Sequence, residues 1–202
     1  TNYPEGQSET FEVENNPNDP EAGTRPVTFS RNLYVESDDF LETPIPKYKR
    51  LYPDGPECRL KGAYLIKCTG CVKDEQGNVV EILATYDPDS KGGNPADGRK
   101  VKGATIHWVD AETAVDAQVR LYDNLFADEN PDGGDKDFLD CLNPGSLEVL
   151  EGCKLEASLA NAQPSDRFQF LRLGYFCADS KDSKPGALVF NRAVSLKDGF
   201  KK

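Results

Sequence analysis

Hydrophobic residues along this chain occur mostly in short runs rather than at the spacing of a helix. Runs of alternating or continuous apolar residues, bounded by Gly, Pro, Asn and Asp, predict eight β-strands. They are Asn32–Val35, Cys58–Cys71, Val79–Tyr86, Ala104–Val109, Ala117–Tyr122, Leu147–Leu155, Arg167–Cys177 and Ala187–Leu196. Residues 74–78 are typical of a hairpin turn between the second and third. Many short strands with frequent turns indicate β-barrels rather than a parallel sheet.

Helical signals are few, and the N-terminal region has little periodicity of any kind. Asp110 is predicted to cap one short helix, and a second is predicted around Asp135–Leu142, before an Asn-Pro-Gly sequence. Residues 1–30 are acidic and rich in Pro and Gly, so we expect them to drape over a surface rather than form a core. The sequence therefore predicts an all-β fold with a few short helices.

Length and composition are those of an ordinary soluble protein. The chain has 202 residues, of which 37% are hydrophobic and 29% charged, which suffices for one large domain or two small ones. No run approaches the ~18 apolar residues of a membrane span, and no signal peptide is visible. Because the chain contains no methionine, we expect a piece of a longer or processed protein.

The cysteines predict reduced thiols in a cytoplasmic protein. There are six, but a chain of this size does not need disulfides, and their spacing is not that of a small secreted scaffold. Cys68-Thr-Gly-Cys71 is a lone C-x-x-C pair, whereas a structural zinc site needs a second pair. A metal site and redox chemistry are the alternatives.

The charge is strongly segregated along the chain. A net charge of −11 argues by itself against a nucleic-acid partner, because phosphate contacts dominate that affinity. Residues 1–45 carry ten acids against two bases, and residues 121–142 carry seven against one. Residues 46–67, however, carry six bases against two acids, and residues 91–102 carry four against one. The pattern is compatible with solvated faces or with a basic groove on an acidic body.

Motifs for catalysis, nucleotide binding and metal binding are lacking. His107 is the only histidine, and its alternation with Ile106 and Trp108 favours a structural role over a catalytic one. No phosphate-cradling glycine loop is present. Asp128–Gly133 imitates the start of a calcium loop, but Leu139 occupies the position of the bidentate glutamate. The chain taken alone does not look like an enzyme, and we predict no catalytic residue, metal or cofactor in it.

Two segments point to recognition of a polyanion. Asp97–Val109 places three cations between glycines, ahead of an apolar run, which is typical of a hairpin arm that carries positive charge. In Phe168–Cys177, Gln169 alternates with large apolar residues and Arg172 follows three residues later. Amide and guanidinium groups match the edges of splayed RNA bases. The alternative is a core strand whose polar residues face solvent.

Several blocks of this chain form a recognisable series. They are Lys49-Arg-Leu51, Thr85-Tyr-Asp87, Pro95-Ala-Asp-Gly-Arg-Lys-Val-Lys-Gly103, Ile106-His-Trp-Val109, Arg120-Leu-Tyr-Asp123, Phe168-Gln-Phe170, Gly174-Tyr-Phe-Cys177 and Val189-Phe-Asn-Arg-Ala193. Together they resemble the C-terminal anticodon-binding part of bacterial-type glutaminyl-tRNA synthetases, and the resemblance runs from Asn2 to Ala193, nearly the entire chain. The alternatives are a non-catalytic rRNA-binding β-barrel protein and the anticodon-binding region of a glutamyl-tRNA synthetase.

The resemblance implies two closely associated β-barrels, a fold also seen in a ribosomal protein that binds 5S rRNA. We expect residues 1–45 and 125–202 to form the proximal barrel and residues 46–124 the distal one. It further implies that the barrels bind the anticodon loop of glutamine tRNA, while a separate N-terminal Rossmann-type domain performs aminoacylation with ATP and Mg²⁺. The signatures of that domain are absent, so this region of a class I ligase should be inactive alone. We expect a cytoplasmic monomer with no membrane partner.

The resemblance also assigns roles to individual residues. Gln169 and Arg172 correspond to contacts with the middle anticodon base, Arg50 with Lys49 to the third base and its phosphate, and Arg59 to the first. Asn18 corresponds to support for the loop backbone, and Lys100 and Lys102 are candidates to neutralise the RNA backbone. This chain departs from the family pattern at three places, which are Leu171 in an acidic position, Lys47 where Gln is expected, and a Leu51–Cys58 loop one residue longer.

Overall fold

The fold is built from short strands joined by turns. The computed structural model describes residues 1–133 and 136–196. Its strands are β1 (Glu9–Glu14), β2 (Thr24–Phe29), β3 (Leu33–Tyr34), β4 (Cys58–Leu60), β5 (Leu65–Lys73), β6 (Val79–Asp87), β7 (Thr105–Ile106), β8 (Val109–Asp110), β9 (Val115–Tyr122), β10 (Leu147–Leu155), β11 (Arg167–Phe170), β12 (Gly174–Ala178) and β13 (Leu188–Ser195).

Helical structure in the described ranges is limited to short 3-10 turns. They are Pro20–Ala22, Ser37–Asp39, Pro88–Ser90, Phe138–Cys141 and Ala157–Asn161. The prediction of an all-β fold with a few short helices is therefore confirmed. None of these turns has the length and apolarity that a membrane-crossing helix requires.

The chain divides into two compact units, Thr1–Ala114 and Val115–Lys202. This grouping differs from the predicted assignment of residues 1–45 and 125–202 to one barrel and 46–124 to the other. That assignment, and the closure of the strands into barrels, stay predictions.

The first unit contains three small sheets. β1 pairs with β2, β3 pairs with β8, and a four-stranded sheet has the order β6-β5-β4-β7. β4 runs antiparallel to β5 and parallel to β7, with Arg59 opposite Thr105. β4 therefore lies between the hairpin β5–β6 and the segment that follows the cationic residues 99–102.

Aromatic side chains form the centre of the first unit, and they correct our expectation for residues 1–30. Tyr3, Phe11 and Phe29 are buried with Tyr64 and Trp108 in one core. The ring of Phe29 makes edge contacts with all four of the other rings, at centroid distances of 5.1 to 5.9 Å. Such contacts stabilise a core beyond the burial of area. The N-terminal residues thus form two paired strands and part of a core, because a few well-spaced aromatics outweigh the acidic composition.

The second unit is one five-stranded sheet with the order β10-β9-β13-β12-β11. β13 runs parallel to β9, and the other neighbours are antiparallel. Its core contains Val119, Phe176 and Phe190, against which Phe168 and Phe170 pack while partly exposed. The alternation predicted for the Phe168 segment is therefore present, since Gln169 between the two phenylalanines is exposed.

Some predicted elements are interrupted by turns. The predicted strand Ala104–Val109 is two two-residue strands, β7 and β8, each paired with a different neighbour. Asp110 does not open a helix: its carboxylate accepts hydrogen bonds from the backbone N–H and hydroxyl of Thr113, as an N-cap would, but the turn leads directly into β9 at Val115. The second predicted helix is the 3-10 turn Phe138–Cys141, capped by Asp137. Asp135, its predicted start, lies outside the described residues.

Candidate nucleic-acid interface

The segment that carries Lys49 and Arg50 is held against the body by its neighbours. Leu51 is buried, and its backbone N–H donates to the carbonyl of Asp39 at 2.9 Å. The Tyr48 hydroxyl donates to the carbonyl of Asp38, also at 2.9 Å. These bonds fix the segment to the 3-10 turn Ser37–Asp39, while Lys49 remains exposed.

Arg50 meets a buried carboxylate. Its Nη1 lies 3.2 Å from Oδ1 of Asp39, whose side chain is fully buried, and 3.2 Å from the carbonyl of Asp38. Within residues 1–133 and 136–196, Nε and Nη2 of Arg50 have no hydrogen-bond or ion-pair partner. The Arg50 side chain as a whole is 37% exposed.

Arg59 is anchored differently, through a backbone carbonyl. It lies on β4, and its Nε donates to the carbonyl of Gly93 at 2.6 Å. Gly93 has a φ of 84°, a backbone conformation that glycine adopts without steric cost. Arg59 is half-buried, and the bond to Gly93 fixes the position of its Nε.

Residues 97–103 form an irregular loop rather than the predicted hairpin arm. Arg99 donates two hydrogen bonds to the Glu57 carboxylate, each at 2.9 Å, and lies 2.5 Å from Asp87 and 3.0 Å from Asp97. Hydrogen bonds to Glu57, and then to Asp87, raise the pKa of Arg99 above its usual value. Arg99 is thus neutralised within the protein, and of the three cations only Lys100 and Lys102 stay candidates to neutralise an RNA backbone.

Lys100 and Lys102 are exposed on this loop. Backbone hydrogen bonds hold the loop beside the segments that carry Lys49 and Arg59. The N–H of Gly103 donates to the carbonyl of Glu57 at 3.1 Å, and the N–H of Ala104 donates to the carbonyl of Lys49 at 2.7 Å. The first unit therefore brings Lys49, Arg50, Arg59, Lys100 and Lys102 into neighbouring segments. The hydrogen bonds of the described residues do not connect Asn18 with this group. It lies exposed in a turn, where its N–H donates to Asn16.

Lys91, a fourth cation of residues 91–102, is also paired internally. Its Nζ lies 2.6 Å from Glu9 and 5.2 Å from the centre of the Phe11 ring. Burial raises the pKa of Glu9, but hydrogen bonds from Lys91, Tyr64 and Tyr3 outweigh it and leave the pKa lowered. Lys91 therefore belongs to the packing of the first unit.

Gln169 and Arg172 lie on one hairpin of the second unit. Gln169 is exposed on β11, opposite Tyr175 of β12. The predicted single strand over Arg167–Cys177 is broken here, because Arg172 adopts a φ of 67° in the turn between β11 and β12. Arg172 is exposed and makes interactions within the protein. Stacking of Phe170 on Phe176, with ring centroids 4.3 Å apart, fixes the hairpin on which both residues lie.

The remaining candidate motifs are accounted for by the packing of the protein. Ile106 and Trp108, on either side of His107, are buried as predicted, and the Trp108 indole donates to the carbonyl of Lys61 at 3.0 Å. Asp128 of the calcium-like loop pairs with Lys136. In the described ranges, no three His, Cys, Asp or Glu side chains are arranged to hold a metal ion.

All six cysteines are free thiols. Burial raises the pKa of Cys58 to about 11, which keeps that thiol protonated and unreactive at neutral pH.

Sequence reasoning missed two carboxylates that shape this surface. Asp39 forms an ion pair with Arg50, 11 residues further along the chain. Glu57 forms one with Arg99, 42 residues further along. Both acids sit among many others in the sequence, so no local pattern distinguishes them.

Comparison with known proteins gives consistent matches over the whole chain. A family model for the anticodon-binding domain of class I (E and Q) tRNA synthetases matches residues 1–87, and a second with the same description matches residues 105–179. The chain is 54% identical over 202 residues to a glutamine–tRNA ligase of Clostridium kluyveri, covering 100% of this chain and 36% of that protein.

Two further relatives give the same result. A glutamine–tRNA ligase of Pseudomonas putida is 55% identical over 202 residues, with 99% of this chain and 35% of that protein covered. One of Bordetella pertussis is 56% identical over 201 residues, with 99% and 34% covered. The chain therefore spans about a third of the length of the curated relatives it matches.

Proposed function

Because this chain belongs to the anticodon-binding domains of class I (E and Q) tRNA synthetases, we propose that it is the anticodon-reading region of a glutamine–tRNA ligase. The observation that carries the proposal is identity above 50% over essentially the whole chain with proteins of that name. A glutamyl-tRNA synthetase and a free-standing rRNA-binding protein are the alternatives, and these relatives favour neither of them.

The proposed mechanism is selection of the tRNA by its anticodon. Gln169 and Arg172 read the middle base, Arg50 reads the third, and Arg59 reads the first. Lys49, Lys100 and Lys102 neutralise phosphates, and Asn18 supports the loop backbone. Side chains with several donors specify bases, whereas ammonium groups position the backbone. The partly exposed side chain of Arg50 and the exposed amide of Gln169 support the first part, and the exposure of Lys100 and Lys102 supports the second.

The whole protein would attach glutamine to tRNA with ATP and Mg²⁺ in its catalytic domain. This chain has no nucleotide-binding glycine loop and no metal-ligand group among the residues that the structure describes, and the role proposed for it in that reaction is to bind the tRNA. We further propose that the protein works in the cytoplasm as a monomer, and that the catalytic domain and the glutamine tRNA are its partners.

Binding of the full-length protein to whole tRNA tests this function. We expect glutamine tRNA to bind with submicromolar affinity, and a glutamine tRNA carrying a glutamate anticodon, which differs only in its third base, to bind about tenfold or more weakly. A charging assay with glutamine and with glutamate then separates the two synthetase types. Equal binding of both tRNAs, or charging with glutamate, would contradict the proposal.

A further inference from the structure

The strongest unassigned feature of the interface is the buried carboxylate behind Arg50. Asp39 is fully buried, and Oδ1 lies 3.2 Å from Nη1 of Arg50. A buried charge without a partner is costly, so Asp39 holds the guanidinium next to it. The same Nη1 donates a hydrogen bond to the main-chain carbonyl of Asp38. This hydrogen bond and the ion pair with Asp39 together hold one side of the planar guanidinium.

The geometry leaves a defined part of Arg50 for the ligand. Both contacts use Nη1, and the other edge, formed by Nε and Nη2, has no partner within the described residues. That edge presents two parallel N–H groups, the arrangement that donates to O6 and N7 of guanine. Glutamine codons begin with cytosine, so the third base of a glutamine anticodon is guanine. The free edge of Arg50 therefore matches the base that the proposed function assigns to it.

The turn that carries Asp39 is itself held by the neighbouring segment. Backbone bonds join Leu51 N–H to Asp39 O at 2.9 Å and Leu41 N–H to Leu51 O at 3.0 Å. The Tyr48 hydroxyl donates to the same Asp38 carbonyl that accepts from Arg50. The 3-10 turn Ser37–Asp39 and the Tyr48–Leu51 segment thus form one braced unit.

We infer that Asp39 is a positioning residue for anticodon recognition: held in the braced turn, it orients the guanidinium of Arg50 so that its free edge meets the third anticodon base. This inference rests on the proposed function. A residue that acts in this way changes discrimination between bases, whereas a purely structural residue changes stability and weakens binding to all tRNAs equally.

Asp39→Asn in the full-length protein tests the inference, because asparagine keeps the shape and removes the charge. The measurement is the ratio of dissociation constants for glutamine tRNA and for a variant with adenine as the third anticodon base. Adenine presents an N6 amino donor where guanine has O6, so an oriented guanidinium rejects it. We expect Asp39→Asn to reduce this ratio about fivefold or more. Asp38→Asn is the matched control, since only the backbone of Asp38 takes part, and it should keep the wild-type ratio.

Arg50→Lys completes the experiment. Lysine keeps the charge opposite Asp39 but lacks the free edge, so this variant should lose third-base discrimination. Adding Asp39→Asn to Arg50→Lys should then change the ratio no further. If Asp39→Asn folds and discriminates like the wild type, or if it weakens both tRNAs equally, the inference is wrong.

A second variant keeps the inference testable in case Asp39→Asn does not fold. Tyr48→Phe removes one bond to the Asp38 carbonyl and leaves the buried carboxylate in place, so it should reduce the ratio in the same direction. If Asp39→Asn does not fold and Tyr48→Phe discriminates fully, the inference also fails. A wild-type protein that ignores the third base would instead contradict the proposed function itself.

Discussion

Three arginines of the basic segments show how the same side chain takes different roles. Arg99 faces three carboxylates and is saturated by them. Arg59 is held by one backbone carbonyl, and Arg50 by one buried carboxylate and one carbonyl. Saturation by carboxylates makes an arginine part of the framework, whereas a partial set of contacts orients it and leaves donors for a ligand. We therefore propose that Arg50 and Arg59 read bases and that Arg99 has a supporting role.

Gln169 provides a test at the scale of a single side chain. Gln169→Ala removes an exposed amide from β11 without touching the apolar face of that strand. We expect about tenfold weaker binding of glutamine tRNA to the full-length protein, because one good base contact contributes on the order of 1–3 kcal/mol. Substituting the middle anticodon base should cost the variant less than it costs the wild type.

Gln163→Ala is the control for this experiment. Gln163 is exposed in the same unit, and its amide donates to the carbonyl of Asn161, so its removal should leave tRNA binding unchanged. Normal binding by a folded Gln169→Ala protein would show that the middle base is read elsewhere.

The sequence identifies the exposed residues that are proposed to contact bases, but not the residues that hold them in place. Gln169 alternates with apolar neighbours, so its exposure follows from the period of a strand. The pairing of Asp39 with Arg50 depends on a turn that brings distant residues together, and a sequence with 35 acids offers many equivalent candidates. Long-range ion pairs of this kind are decided by the tertiary structure, and local pattern carries no information about them.

At the scale of elements, predictions succeeded where period and length agreed. β6, β9, β10 and β13 lie within two residues of their predicted bounds. β1 was missed because glutamates alternate with Phe11 and Val13 in a region of acidic composition, and β2 was missed because Pro26 lies within it. Predicted strands that contain a tight turn were split, as in Arg167–Cys177, where Arg172 adopts a φ of 67° between β11 and β12. Composition is therefore a poor guide to strands that have one solvent-exposed face.

Gly103 lets the cationic loop, residues 97–103, pack closely against β4, and its substitution should loosen that loop. A Cβ at this position would lie 2.2 Å from the backbone oxygen of Glu57 and 2.8 Å from Sγ of Cys58. Gly103→Ala must therefore separate the loop from β4. We expect the opening free energy of the amide of Arg59, which donates to Ala104 O, to fall by about 2 kcal/mol. Native-state hydrogen exchange on the full-length protein measures this quantity.

Gly70→Ala is the matched substitution for Gly103→Ala. Gly70 lies in β5 of the same unit, and an added Cβ there would meet nothing within 4 Å. Its effect on the same amide should stay within about 0.5 kcal/mol. Equal protection of Arg59 in both variants would mean that the loop tolerates displacement and that Gly103 does not hold it.

At the scale of the whole molecule, a chain of net charge −11 would have to bind RNA, the partner proposed for it, through a few local cations. Carboxylates remove part of the positive charge, since Lys91 and Arg99 are paired with Glu9, Glu57, Asp87 and Asp97. Phosphate binding then depends on the cations that remain exposed. An acidic protein also repels RNA from the rest of its surface, so binding at this group of cations should be selective as well as salt-sensitive.

Lys100 and Lys102 should therefore contribute to affinity through counterion release. Replacing both with Ala in the full-length protein removes two phosphate contacts. The slope of log K against log salt should become shallower by about 1.4, taking about 0.7 per contact for single-stranded RNA. The preference for the glutamine anticodon should not change, because ammonium groups on phosphates carry no sequence information.

The control replaces two lysines that are already paired with carboxylates. Lys136→Ala with Lys154→Ala removes the partners of Asp128 and Asp116, and this variant should keep the wild-type slope. If the slope of the variant at Lys100 and Lys102 stays the same while its base preference shifts, these lysines contact bases rather than phosphates. The roles proposed for them are then wrong.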